Sequence, residues 1–169
     1  MTNNNDENVS ITLREPTAED GSSVFELIAA CPPLDTNSMY CNLLQSSHFS
    51  QTSVAAEMNE TLVGFISGYV LPKKPDTLFI WQVAVGEKAR GQGLASRMLR
   101  HILSREQCKN VKFIETTITP DNRASWALFE SLANKLDAEL NRSVMFDRQQ
   151  HFAGQHETEM LVRVGPFEL

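Results

Sequence analysis

Residues 78–85, LFIWQVAV, are almost continuously apolar over the length of one strand, the pattern of a strand covered on both faces. A chain carrying such a run has to place layers on both sides of a sheet. GEKARGQG (86–93) follows. In the next stretch, LASRMLRHILSRE (94–106), Ala95, Met98, Leu99, Ile102 and Leu103 repeat at the i, i+3, i+4, i+7, i+8 spacing of an amphipathic helix. VKFIETTIT (111–119) predicts another strand, broken by Pro120 and Asp121, and Asn122 opens a helix through about Lys135. Strand, helix, strand, helix makes a parallel crossover unit, so the expected class is α/β.

The flanking segments extend the pattern. Val9–Arg14 predicts a short strand ended by Pro16, after which Thr17 or Asp20 caps a helix to about Ala30, stopped by Pro32 and Pro33. A second short helix is expected from Asp35 to about Ser47. Thr52–Glu57 and Leu62–Leu71 are strand-like and joined by a turn at Asn59 and Glu60, with Gly64 and Gly68 marking close approach of a backbone or ligand. Pro72–Asp76 reads as a loop. Farther on, SVMF (143–146) and EMLVRV (159–164) predict strands around a polar loop carrying His151 and His156. The polar, Asn-rich segment 1–8 is expected to fray, leaving 9–169 as one domain.

Charge narrows the function. Fifteen Lys+Arg against twenty-one Asp+Glu give a net charge of -6, and no basic block is present to neutralise a phosphate backbone or an anionic lipid surface. Neither nucleic acid nor a membrane is expected as a partner. Three cysteines, Cys31, Cys41 and Cys108, lack CxxC spacing and read as small buried apolar residues in a reducing, cytoplasmic setting. No metal is expected: His151 and His156 are five apart, with no HExxH and no flanking cysteine.

The chemistry is concentrated in Arg90-Gly91-Gln92-Gly93-Leu94-Ala95, between the buried strand and the amphipathic helix. Successive glycines let backbone N–H groups turn together toward an anion, and the helix adds its free N–H groups and positive dipole end, which would make a pyrophosphate seat. A plain strand-to-helix turn would use the same glycines. The hexapeptide lacks the P-loop GxxxxGK[ST] and the GxGxxG spacing of dinucleotide sites.

It does fit [QR]xxGx[GA], and here the chain resembles the GCN5-related N-acetyltransferase superfamily. ITLREPTAEDG at the start and VKFIETTITPDNRASWALFESL later are similar to that family's first strand with its helix entry, and to its fifth strand with its Asn-initiated helix. CPPLDTNSMYCNLL (31–44), FIWQVAV and HETE (156–159) are in turn similar to the L-2,4-diaminobutyrate acetyltransferase group of ectoine, or compatible-solute, biosynthesis. The resemblance implies a mixed central sheet splayed between its fourth and fifth strands, at 78–85 and 111–119, with helices on both faces. Acetyl-coenzyme A would lie in the gap as cosubstrate. Backbone groups of Val83 and Val85 would hold its pantetheine arm, N–H groups from Arg90 to Ala95 its pyrophosphate, and Asn122 the arm or phosphate. An N–H near Val83 would polarise the thioester carbonyl. The resemblance also implies a homodimer. Its usual tyrosine, seven residues after the helix-opening asparagine, is Phe129 here, so either the thiolate leaves unprotonated or another acid serves, with Tyr40 or a water as candidates.

Acetyl transfer to an alkyl amine, whose pKa is about 10, requires a base or a desolvating pocket. Glu115, mid-strand with Thr117 on the same face, is the leading base, with loss of the proton through water as the other route; exposure on a solvated face or pairing with a surface lysine is the competing reading of the residue. Trp81, expected to share a face with Val83 and Val85, either walls the substrate pocket or fills the core. Asp35 either caps the second helix or pairs with a substrate ammonium, with Thr36 or Asn37 on the carboxylate and Tyr40 donating a hydrogen bond. His156 and Glu157 would close the pocket from the other side. The expected reaction is acetyl transfer to the 4-amino group of L-2,4-diaminobutyrate. Another small amine, a protein lysine, or regulatory coenzyme binding without turnover are the alternatives.

Overall fold

A computed structural model describes residues 10–169; the expected frayed segment 1–8 and Val9 lie outside the described residues. In chain order the elements are β1 (Ile11–Arg14), α1 (Gly21–Ala29), α2 (Met39–His48), β2 (Val54–Met58), β3 (Thr61–Leu71) and β4 (Lys74–Val85). They continue with α3 (Leu94–Leu103), β5 (Phe113–Ile118), α4 (Arg123–Lys135), β6 (Leu140–Phe146) and β7 (Glu159–Val164). The strands form one mixed sheet in the order β1-β2-β3-β4-β5-β7-β6, with β4 and β5 parallel and the other neighbours antiparallel.

The amphipathic pattern of 94–106 is realised: Met98, Leu99 and Ile102 are fully buried against Ile66, Leu78, Ile80 and Ile114 on one face of the sheet, together with Phe129 and Leu132 of α4. On the other face Val24, Leu27 and Ile28 of α1 pack on Phe65 and Ala84. That second layer explains why 78–85 is apolar apart from Gln82. Asn59 and Glu60 form the expected turn, both with positive φ (52° and 60°), the geometry of a tight hairpin.

Several expected boundaries move. The second helix starts at Met39, because Ser38 is its cap, its hydroxyl accepting the Cys41 N–H at 3.0 Å, and Asn37 at φ 51° interrupts any earlier turn. Asp35 therefore caps nothing. The expected loop 72–76 shrinks to a two-residue turn at Pro72 and Lys73, since Leu71 already pairs with Lys74. The strand expected at 143–146 begins at Leu140, paired with Val164.

The fork in the sheet is the feature that positions the site. β4 and β5 are paired from Thr77–Phe113 to Ile80–Thr116 and no farther. The Thr116 hydroxyl bonds the Ile80 carbonyl at 2.9 Å at the point of divergence. At the same level β4 carries one residue more than β3, because Ser67 pairs with Gln82 while Gly68 pairs with Ile80. Trp81 is that extra residue, and such a bulge reverses which face successive side chains take. Before it, Leu78 and Ile80 point to the α3 side; after it, Val83 and Val85 do. Trp81 instead meets Tyr69 edge-on on the opposite face, with ring centroids 6.4 Å apart. The expectation that Trp81 shares a face with Val83 and Val85 is corrected accordingly: simple alternation fails across a bulge.

Candidate active site

Beyond the fork, strand alternation decides where backbone groups point. The N–H groups of Gln82 and Gly86 turn toward β3, donating to the Ser67 hydroxyl (3.2 Å) and the Val63 carbonyl (2.7 Å). The N–H and C=O groups of Val83 and Val85 consequently face the side that β5 has left. This is an unpaired strand edge. One acceptor on it is already engaged, because the Val85 carbonyl takes bonds from Arg90 Nε (3.0 Å) and Cys31 Sγ (3.4 Å).

The gap holds two cavities that share Pro33, Leu34, Val83, Asn122 and Ser125 in their walls. One, about 390 Å³, runs along Val83 and Val85 to Arg90 and Ala95. At that end Gly91 and Gly93 adopt φ of 76° and 70°, and a Cβ on either would meet nothing within 4 Å. Gly93 is the N-cap of α3 and offers no side-chain acceptor, so the first N–H groups of that helix are open to an anion. Leu94 is buried and anchors the loop, while Gln92 is exposed with its amide on the Lys88 carbonyl at 3.4 Å. Asn122 caps α4 by accepting the Ser125 N–H at 3.3 Å and lines both cavities.

The other cavity, about 580 Å³, is bounded by Asp35, Asn37, Trp81, Gln82, Val83, Thr116, Thr117, Phe129, Arg148, His156, Glu157 and Glu159 among others. The structure thus gathers Asp35, Asn37, Trp81, Thr117, Phe129, His156 and Glu157 from separate parts of the chain. Gln82 fixes the loop before α2 by donating to the Asp35 carbonyl at 3.0 Å, leaving the Asp35 carboxylate exposed and 4.0 Å from His156 Nε2. The Asn37 Nδ2 is buried without a hydrogen-bond partner, an unused donor in the wall. Phe129 is buried at the inner end and places no acid there.

Three expected residues stand outside this cavity. Tyr40, on the first turn of α2, is 69% exposed and absent from the lining. Thr36 is exposed and contributes a carbonyl, which accepts from Asn42 Nδ2 at 3.4 Å. Glu115, only 2% exposed, is bound by Lys74 Nζ at 3.0 Å and Arg163 Nη1 at 3.3 Å, on the closed side of the fork. Its carboxylate is enclosed by cations, which is the pairing alternative. Glu115→Gln is expected to lower stability by about 1–2 kcal/mol, less than the roughly 3–5 kcal/mol of a fully buried pair because Lys74 reaches solvent. Urea unfolding checks the value, and the shape of the pH–rate profile should be unchanged.

The strand carboxylate that does reach the cavity is Glu159. Cross-strand pairing of Thr117 with Leu161, and period two along β7, put Glu159 on the Thr117 face. Burial raises the Glu159 carboxyl above its ordinary value, with the Asp35 charge adding to the rise, while His156 and a hydrogen bond to Thr117 pull it down. Alternation in EMLVRV shows that Glu159 and Arg163 share a face; that this face meets the cavity depends on the β5–β7 pairing, which no local pattern reveals. Among the described residues no cluster of His, Cys, Asp or Glu could hold a metal ion, and no helix is long and apolar enough to cross a membrane.

A splayed strand edge, a glycine seat at a helix N-terminus and a polar cavity at the inner end define an acyl-coenzyme A transferase architecture. The chain belongs to the acetyltransferase (GNAT) family, whose sequence profile matches residues 22–133. It is 68% identical over 158 residues to the L-2,4-diaminobutyric acid acetyltransferase of Methylotuvimicrobium alcaliphilum, covering 94% of this chain and 92% of that protein. Identity to the protein of the same name from Vibrio parahaemolyticus is 53% over 152 residues, covering 90% and 84%. The fold matches diaminobutyrate acetyltransferase EctA from Paenibacillus lautus, solved in complex with its substrate L-2,4-diaminobutyric acid and coenzyme A. The TM-score is 0.90 at 40% identity, covering 95% of this chain and 98% of that one.

Proposed function

We propose that this chain transfers acetyl from acetyl-coenzyme A to the 4-amino group of L-2,4-diaminobutyrate, giving the N4-acetyl product used in ectoine synthesis. The observation that carries the reading is the acidic, polar cavity joined end to end with the coenzyme cavity, in a chain 68% identical to a diaminobutyric acid acetyltransferase. The open N–H groups of Gly91 to Ala95 seat the pyrophosphate, and the free edge of Val83 and Val85 takes the pantetheine arm in place of a strand. A β4 N–H at Val83 meets the thioester oxygen, where charge develops as the amine attacks.

On the acceptor side Asp35 meets one ammonium of the substrate and Asn37 Nδ2 donates to its carboxylate. Trp81 and Phe129 screen the reacting carbon from water. Glu159 is assigned as the base: its raised carboxyl lies closer to the amine's range than an ordinary glutamate and accepts a proton with Thr117 and His156 steadying the charge. With phenylalanine at 129 the thiolate leaves without a protein acid, which its pKa of about 8.5 permits.

A cytoplasmic setting and a role in osmotic stress follow from the same reading. A homodimer is proposed as the assembly: β6 is an outer strand, and Val144, Met145 and Phe146 are exposed together on it. Thiol release from acetyl-coenzyme A, followed with diaminobutyrate, polyamines and lysine peptides in turn, tests the function. Release with diaminobutyrate at the highest kcat/KM is expected; release only with peptides, or with no amine, would overturn it.

A further inference from the structure

Four carboxylates, Asp35, Asp121, Glu157 and Glu159, and one guanidinium, Arg148, line the acceptor cavity. An acidic wall suits an amine. It is a poor place for the carboxylate of an amino acid, because a carboxylate taken out of water needs a charged partner as well as a hydrogen bond. Asn37 can supply only the hydrogen bond.

Arg148 is held ready at both sides of its peptide. Its N–H donates to the Thr158 hydroxyl at 3.1 Å, and its C=O accepts the Gly154 N–H at 2.8 Å. The turn that carries it is tied to Asp147, whose carboxylate takes the N–H groups of Gln149 (2.8 Å) and Gln150 (2.9 Å). The guanidinium spends Nη1 on Glu157 at 3.1 Å, while Nε and Nη2 have no hydrogen-bond acceptor among the described residues. One edge of a planar fork is thus oriented by Glu157 and the rest is left for a ligand oxygen pair.

Resting on the acceptor reading above, we infer that Arg148 is the specificity-determining residue for the α-carboxylate of the substrate, so that this cavity selects a diamino acid over a plain diamine. Holding the carboxylate at the 147–158 turn also fixes which nitrogen points at the thioester. Glu157 positions Arg148; it does not itself meet the carboxylate.

The test is a competition in which enzyme, acetyl-coenzyme A and equimolar diaminobutyrate and 1,3-diaminopropane, its decarboxylated counterpart, are mixed and both acetylated products are counted by mass spectrometry. Arg148→Ala is expected to lower the preference for diaminobutyrate by about 30-fold or more, the weight of a charged hydrogen-bonded contact. Arg148→Lys should restore part of it, and calorimetric binding of coenzyme A should be unchanged in both variants. A preference ratio within threefold of wild type in Arg148→Ala would overturn the inference and leave Arg148 as a brace for Glu157. Wild-type enzyme making no acetyl-diaminobutyrate would instead count against the acceptor reading itself.

Discussion

Replacing Gly91 by valine is expected to weaken coenzyme A binding by about 100-fold or more while the protein remains folded. Two effects separate cleanly at this position. Inside the protein, a Cβ at Gly91 meets nothing within 4 Å, so the folded chain loses only the strain of a β-branched residue at φ 76°, about 1–3 kcal/mol. That is small against a typical stability of about 5–15 kcal/mol. Toward the ligand the same empty space is the proposed approach of the pyrophosphate to the backbone, and relaxing the strained φ would turn the N–H groups away from it. Losing two charge-assisted bonds at about 1.5–3 kcal/mol each accounts for the 100-fold. Calorimetric titration of the folded variant gives the answer, and an unchanged affinity would move the pyrophosphate elsewhere.

Glu159→Gln is expected to lower kcat by about 100- to 1000-fold at neutral pH, the usual worth of a positioned base. The sign of the pH effect follows from its surroundings. Burial keeps the Glu159 carboxyl protonated to higher pH than an ordinary glutamate, and only the deprotonated form accepts a proton. The wild-type rate should therefore fall as pH drops through that raised value, giving an acid limb above the usual carboxylate range. In Glu159→Gln that limb disappears, and the deficit narrows in alkaline buffer, where more amine is already neutral. A variant that keeps the wild-type profile would take Glu159 out of the proton path.

The glycine turn proposed as the phosphate seat was the part of the site most legible in sequence. Arg90 to Ala95 form a local device, a loop and the helix it opens, so spacing alone carries their geometry. The layers above and below β4 were also legible, because burial on both faces leaves an almost continuous apolar run. Trp81 marks where such reading stops. A bulge is a property of two strands together, and its extra residue on β4 is visible only against Ser67 and Gly68 of β3. Glu115 and Glu159 show the same limit on a longer range. Both are carboxylates in strands, on one face of the sheet. What separates them is that Lys74 and Arg163 reach Glu115 on the closed side of the fork, while Glu159 lies on its open side.

Arg148 was invisible for a related reason. In sequence it sits in a polar stretch between two strand-like segments, where an arginine is ordinarily just solvated. The return of the chain through β7 brings that stretch to the wall of the cavity, and the bonds to the Thr158 hydroxyl and from the Gly154 N–H then fix its backbone.

On the proposed assignment of Arg148, the substrate enters with its carboxylate outward at the 147–158 turn and its distal nitrogen inward at Val83 and Phe129. NMR of the product formed from L-2,4-diaminobutyrate and acetyl-coenzyme A reads this orientation directly. The acetyl group is expected on the 4-nitrogen, seen as coupling of the amide proton to the side-chain methylene. Predominant coupling to the α-proton, the signature of 2-N-acetyl product, would contradict it.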